Sequence, residues 1–539
     1  MFTNDRIWMG KNDEKRTELL LNKANRHGLI TGASGTGKTW TLRTMAEGFA
    51  AAGVPVFLAD IKGDLSCLCK MGEDNENIRG RVEKFGIDNW EYTAFTSVFW
   101  DVYGESGLQV RATISDMGPL LLSRLMNLSE VQQEVMNVIF KIADDNGLLL
   151  VDTKDLKAML SYVADHSNDF KNEYGNLSPQ SIASIQRNVV SLETQGADVF
   201  FSEPMLDIND LLRIDDKGRG VVNILHSVRL AQNKTLYATF MLWLMSEIYE
   251  NLPEIGDPEK PKAVLFIDEA HLLFNDAPKV LIEKVEQVVR LVRSKGVGIY
   301  FCSQSPADIP DNVLGQLGNK VQHALRAYTP KDQKAIRAAA ESYRPNPKFS
   351  TETAITELGT GEALVSFLDE GGAPSVVERC FILPPQSKTG TLDAPDRKAV
   401  IECCPLYNKY SQLVDNESAY EVLSGKKEEE IAEAAAAKEA AEAEKIAAKE
   451  AAAAEKQAAK EAAAAEKAAA KEAEKKAKTV QKIAGNTTAA AGRAVARSVT
   501  KSMFGKSSGI AGSVAQTMLG SIGKEMGSSI TRGLFGTKK

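Results

Sequence analysis

Gly32-Ala33-Ser34-Gly35-Thr36-Gly37-Lys38-Thr39 sets three glycines, a lysine and a threonine within eight residues. A triphosphate packs several negative charges into a small volume, so a protein that binds one must bring many backbone N–H donors close to it. Side chains at Gly32, Gly35 or Gly37 would block that approach. The run fits a phosphate-binding loop in which Lys38 reaches the β- and γ-phosphates and the Thr39 hydroxyl holds magnesium. Roughly 230 residues downstream, Val264-Leu265-Phe266-Ile267 ends in Asp268-Glu269. In that position Asp268 is expected to hold magnesium through water and Glu269 to polarise an attacking water. ATP and Mg2+ are therefore the expected cofactors. His271 follows closely and reads as a packed neighbour.

These groups need a rigid frame. His27 to Thr31 reads as a short buried strand entering the loop, and Thr41 to Ala52 carries Leu42, Met45, Ala46 and Phe49 at helical spacing. Four apolar residues before Asp268 suggest a strand buried on both faces, which would deliver its carboxylates at the C-terminal end, where ligands bind in parallel sheets. Val54 to Asp60 is a further strand signal, followed by the polar Ile61-Lys62-Gly63-Asp64. Residues 105–215 read as a mainly helical insertion, with helices expected over Leu120 to Leu128, Val131 to Ala143 and Lys154 to Ala164. Strand character returns at Gly220 to Leu225, Gly298 to Cys302 and Ala363 to Phe367, and helices are expected over Leu236 to Tyr249 and Pro278 to Ser294. Alternating strands and helices over residues 1–415 imply an α/β fold around a largely parallel sheet.

The 539 residues carry six scattered cysteines, Cys67-Leu68-Cys69 and Cys403-Cys404 being the close pairs, which suits a reduced, cytoplasmic setting. The first residues contain no apolar signal segment, and no stretch approaches the roughly 20 apolar residues a membrane span requires. The net charge of −7 is unevenly spread: residues 481–539 hold nine Lys and Arg against one acidic residue, whereas residues 1–425 carry −14. Non-specific nucleic-acid affinity comes mainly from neutralised phosphates. The balance thus disfavours a broad basic face on the globular part.

Residues 426–480 consist almost wholly of Ala, Glu and Lys. Glu-Lys recurs at 444, 455 and 466 and Lys-Glu at 449, 460 and 471, an eleven-residue repeat of strong helix formers. A long helical spacer is expected. Beyond 481 the chain is basic and rich in Gly, Ser and Ala. Arg493, Arg497 and Lys501 oppose Val495, Val499 and Met503 on a helical wheel, which fits either a partner-binding element or one peripheral at the inner face of a membrane, and equally a helix packed on its own domain or a disordered basic tail.

Taken in order, Asn25 to Gly32, Asp60-Ile61-Lys62-Gly63-Asp64, Leu265 to His271, Ser303-Gln304-Ser305-Pro306 and Leu358 to Ala363 resemble the bacterial HerA-like ATPases of the HerA/FtsK family. The resemblance implies a RecA-like, ASCE-type P-loop NTPase fold and a homo-oligomeric, hexameric ring with nucleotide between subunits. It implies that Gln304 contacts the γ-phosphate and attacking water, and that an arginine crosses from the neighbouring subunit. Arg293 is the first candidate for that arginine, ahead of Arg290 and Arg326. HerA-type motors usually carry a small β-barrel before the ATPase, and only about 25 residues precede the loop here, too few for such a domain. The leading expectation is an ATP-driven DNA translocase or helicase-like motor. The alternatives are a nucleotide-switched scaffold whose rod and tail bind a membrane or protein partner, and a motor that moves a polypeptide.

Overall fold

The computed structural model of the chain describes residues 2–3, 5–275 and 279–484. Thirteen strands form one sheet in the first compact unit, Met1–Ile431. In chain order they are β1 Phe2–Thr3, β2 Arg6–Lys11, β3 Arg16–Leu20, β4 Gly28–Thr31, β5 Val56–Asp60, β6 Ser97–Asp101 and β7 Leu108–Gln109, followed by β8 Val222–His226, β9 Ala263–Ile267, β10 Val297–Ser303, β11 Asn319–Gln322, β12 Glu362–Ser366 and β13 Glu378–Ile382. Their order across the sheet is β1-β2-β13-β12-β11-β4-β10-β9-β5-β8-β6-β7, with β3 paired to β2. The eight strands from β11 to β7 run parallel, and the other five add antiparallel at the β11 side. The residues ahead of the loop thus extend the main sheet as β1 to β3.

The central strands are apolar throughout because both faces are covered. In β9, Val264 and Phe266 belong to one buried cluster while Leu265 and Ile267 belong to the other. Tyr300 and Cys302 of β10 follow the first pair, and Val297, Ile299 and Phe301 the second. This is the period-two alternation of a strand with core on either side. On the first face lies α1, Lys38–Ala51, whose Phe49 ring sits 6.2 Å from Phe266 and 5.8 Å from Tyr300. On the other face lies the helix Lys234–Asn251, apolar nearly all round and buried.

Between β7 and β8 come the helices Ile114–Leu125, Glu130–Asp145, Thr153–Asp165, Ser167–Tyr174, Pro179–Glu193 and Ala197–Phe200. The helix expected from Leu120 to Leu128 instead starts at Ile114, where Thr113 forms a capping box with Asp116, and bends at Gly118. It ends at Leu125 because Ser129 caps the next helix. The strand expected from the four apolar residues before Asp268 is β9, and Asp268 and Glu269 lie in the turn at its C-terminal end. The helix expected from Pro278 runs Lys279–Val292, its first expected residue falling outside the described residues.

One helix, Ala419–Ala484, spans the Ala/Glu/Lys repeat, and at 1.5 Å per residue is roughly 100 Å long. The second unit begins within it at Ala432. The basic series from Arg493 onward lies outside the described residues. Among the described residues no helix is long and apolar enough to cross a membrane.

Candidate functional site

β4 ends at Thr31, and the chain turns at once through Gly32 (φ 151°), Gly35 (φ 76°) and Gly37 (φ 115°) into α1. A side chain at Gly32 would meet the His323 Cβ at 2.5 Å, and one at Gly37 would meet the Gly361 backbone at 3.2 Å. The loop is pinned on its inner side. Ala33 N–H donates to the Ala324 carbonyl at 2.8 Å, the Thr36 hydroxyl donates to the Ala33 carbonyl at 2.7 Å, and Gly361 N–H donates to the Thr36 carbonyl at 3.1 Å. Ser34 and Gly35 face outward, and Gly35 has open space where a Cβ would be. Thr39 sits half-buried in the first turn of α1.

Gly37 is the N-cap of α1 and supplies no side-chain acceptor, so the N-cap residue leaves the amides of the first turn without a side-chain cap. Such amides need a partner, and the positive end of the helix dipole makes an anion the favoured one. Lys38 is buried, its Nζ donating to the carbonyls of Gly32 at 2.5 Å and Ala33 at 3.2 Å. Burial lowers its pKa, and nearby Lys62 pushes the same way while Glu269 and Asp268 oppose.

The carboxylates arrive from β9. Tyr237 of the helix Lys234–Asn251 donates its hydroxyl hydrogen to the Asp268 carbonyl at 3.2 Å, and Ala270 N–H donates to the Cys302 carbonyl at 2.8 Å. Glu269 between them adopts φ 46°, an uncommon conformation for a residue with a side chain. Burial raises the Asp268 pKa to about 6, against the opposing pull of Lys62. Glu269 Oε1 lies 2.8 Å from Lys62 Nζ, and His271 Nδ1 lies 3.3 Å from Oε2. Oε2 is buried with no hydrogen-bond partner among the described residues. Burial pushes Glu269 upward, but Lys62, with His271 and Lys38 acting in the same direction, outweighs it and the carboxyl sits below its ordinary range.

Nothing in Asp60-Ile61-Lys62-Gly63-Asp64 itself marks Lys62 as the partner of Glu269. Ala59 of β5 pairs with Ile267 of β9, so the residues just past each strand meet. The Asp60 carboxylate accepts from Gly63 N–H at 2.7 Å and Leu65 N–H at 3.2 Å, folding the turn that carries Lys62 toward Glu269. His323 was also missed. It follows β11; its Nδ1 donates to the Glu362 carbonyl at 2.8 Å and, with the ring neutral, its Nε2 accepts from the Thr41 hydroxyl at 2.8 Å, clamping α1 to the loop's far wall. Its signal, a polar four-residue strand, is too weak to find without the neighbouring β4.

Gln304 follows β10, which lies between β4 and β9. Its exposed amide therefore stands on the same sheet edge as Lys38, Asp268 and Glu269. Arg293 does not join them. It precedes β10 at the N-terminal end of the sheet, about 20 Å along the strand direction from Gln304 by strand rise. There its guanidinium lies 3.6 Å from Asp257, 43% exposed.

A profile for the family described as "Helicase HerA-like C-terminal" matches residues 6–512. The chain belongs to this family. The DNA double-strand break repair helicase HerA of Sulfurisphaera tokodaii is 20% identical over 373 residues, 68% of this chain and 67% of that protein. HerA of Sulfolobus acidocaldarius is 25% identical over 171 residues, 31% of this chain and 33% of that protein. A probable helicase of Methanocaldococcus jannaschii is 31% identical over 139 residues, 24% and 25%. The chain thus spans a third and a quarter of these last two relatives. Among solved structures, the bacterial conjugative coupling protein TrwB is similar at 15% identity and a TM-score of 0.45, over 71% of this chain and 91% of that one. VirB4 of Thermoanaerobacter pseudethanolicus is similar at 14% and 0.45, over 74% and 99%. The HerA-like family is therefore represented here by a sheet of mixed direction, mostly parallel, with the phosphate loop and acidic turn on one edge.

Proposed function

We propose that this HerA-like chain is an ATP-hydrolysing motor that assembles as a hexameric ring and translocates on DNA. The observation that carries the reading is the convergence of Lys38, Asp268, Glu269 and Gln304 at one sheet edge, with β10 interposed between the loop strand and the acidic strand. The uncapped amides of α1, the open side of Gly35 and the orphaned Glu269 Oε2 fit a triphosphate with its magnesium and a water. Residues Gly32 to Thr39 would hold the phosphates, and Thr39 and Asp268 would hold the metal. Bound magnesium would neutralise charge developing on the transferred phosphoryl group.

The protein's own groups do the rest. Glu269, kept ionised by Lys62, takes a hydrogen bond from the attacking water, while the Gln304 amide orients it. Arg293, remote from the site of its own chain and exposed, serves a neighbouring subunit's nucleotide. The family match and the names of the HerA relatives support DNA as the polymer. The test is ATP turnover with and without duplex and single-stranded DNA at several salt concentrations, together with imaging of the particles. DNA should stimulate turnover, and Lys38→Ala or Glu269→Gln should abolish it. Equal turnover with and without DNA at every salt concentration would refute a DNA motor.

A further inference from the structure

The C-terminal edge of the sheet carries a second cavity, of about 640 Å³, beside the ends of β8 and β6. β8 stands four places from β4 in the sheet, roughly 19 Å at the usual strand spacing, so the cavity shares none of the phosphate-loop residues. Its walls are the turn after β6, His226 at the end of β8, Arg111 just past β7, and the segment that carries Arg397, Lys398 and Tyr407.

Two of these cations are buried without a carboxylate. Arg111 is 3% exposed; its Nη1 donates to the Tyr410 carbonyl at 2.9 Å and its Nη2 to Gln109 Oε1 at 2.5 Å, while Nε has no partner among the described residues. Arg397 is 7% exposed, with Nη1 3.2 Å from His226 Nδ1 and its guanidinium 5.1 Å from the centre of the Phe99 ring. Burial lowers the pKa of Arg111 and of His226, the latter helped by Arg397 and opposed by Asp101 and Glu105, so the imidazole is neutral and its Nδ1 accepts from Arg397. Of the acids at the rim, Glu105 pairs with Arg229 at 2.5 Å, outside the cavity, and Glu402 pairs with Lys398 at 3.7 Å, which leaves the two arginines without a carboxylate partner among the described residues.

Burying a cation without a counter-charge is costly, and planar guanidiniums are matched to the oxygens of phosphate. The geometry points to a second anion site, in which Arg111 and Arg397 receive a phosphate group. The cavity is of a size that accepts a mononucleotide. The phosphate comes either from a free nucleotide or from the backbone of a single-stranded nucleic acid passing the same sheet edge. The inference does not depend on the motor reading, since it uses no residue of the nucleotide site.

The experiment uses the full chain carrying Lys38→Ala, which weakens the phosphate loop, and measures binding of inorganic phosphate and of AMP by equilibrium dialysis. About one equivalent of either ligand should bind. Adding Arg397→Gln should weaken it at least tenfold, with Arg397→Lys retaining part of the affinity. In the otherwise unaltered chain Arg397→Gln should leave DNA-independent ATP turnover unchanged, which shows that the variant folds. Arg111→Gln provides a second reading. Displacement of AMP by oligodeoxythymidylate assigns the phosphate to a nucleic-acid backbone, and failure to displace it assigns a free nucleotide. The absence of phosphate and AMP binding to Lys38→Ala, or equal affinity with and without Arg397→Gln, overturns the site.

Discussion

His27 immediately precedes β4, the strand that delivers the phosphate loop, and its titration links that strand's anchoring to pH. The imidazole is buried, and its Nδ1 accepts from Ile299 N–H of β10 at 3.0 Å. Burial, with Arg293 adding in the same direction, lowers its pKa from 6.5 to about 4. The folded chain thus keeps the ring neutral where the unfolded chain protonates it. Between those values protons favour the unfolded state, so the contribution is fully present above about 6.5 and lost as pH falls to about 4. The full difference is about 3 kcal/mol, and about 2 kcal/mol of it is lost between roughly pH 7 and pH 5. Carboxyls with raised values, Asp60 at about 6 and Glu247 at about 7, act with the opposite sign, so the slope of the unaltered protein alone does not isolate His27. His27→Asn keeps a side-chain acceptor and tolerates the positive φ of 54° at this position. Urea unfolding of both proteins at the two pH values gives a double difference. The unaltered protein should lose about 2 kcal/mol more than the variant on acidification. Parallel pH dependences in the two proteins would refute the assignment of a neutral, buried imidazole.

Gly32→Ala forces a Cβ to within 2.5 Å of the His323 Cβ at φ 151°, and is expected to cost about 2–4 kcal/mol in urea unfolding and to remove measurable nucleotide binding. Lys62→Met removes the counter-charge of Glu269. Because Lys62 is 46% exposed, the effect is discounted to about 1.4 kcal/mol, or a tenfold fall in kcat at saturating ATP, with Lys62→Arg recovering part of the rate. Phe49→Ala vacates the contact of α1 with Phe266 and Tyr300 and should lower unfolding stability by about 3–5 kcal/mol, read from a denaturant midpoint.

What was legible in the chain follows from where signal is local. β4, β5, β9 and β10 announce themselves because apolar residues face core on both sides, and the glycines of the loop because phosphate chemistry leaves little choice of residue. β11 and β13 do not. β13 is only partly buried, and Asn319–Gln322 of β11 is polar, so neither hydropathy nor alternation marks them. Nor does any local pattern reveal that β10 separates β4 from β9, since strand order is decided by crossovers between distant segments. The Lys62 to Glu269 pair depends on that order. Only the adjacency of β5 and β9, in a register matching Ala59 to Ile267, brings a lysine from one turn onto a glutamate from another.

The same topology bears on Arg293, whose helix-end position in sequence gave no hint of direction. β10 runs from Val297 to Ser303 toward the site, so a residue just before it must lie at the far end of the sheet. Arginines nearer the loop are committed: Arg81 donates to the carbonyls of Gly361 and Ile382 at 3.1 and 3.2 Å, and Arg43 is buried, donating to the Asp64 carbonyl at 3.0 Å and Ser387 Oγ at 2.8 Å. The positive charges facing Glu269 from within the chain are accordingly lysines, Lys62 in contact and Lys38 nearby. A lysine supplies one compact charge, whereas a guanidinium can bridge two phosphate oxygens. If phosphoryl transfer here uses an arginine, the fold leaves that group to be supplied from outside the chain, and Arg293 is exposed on the sheet's opposite end with a single exposed carboxylate, Asp257, to release. A ring in which one subunit's far end meets the next subunit's phosphate loop satisfies both constraints at once.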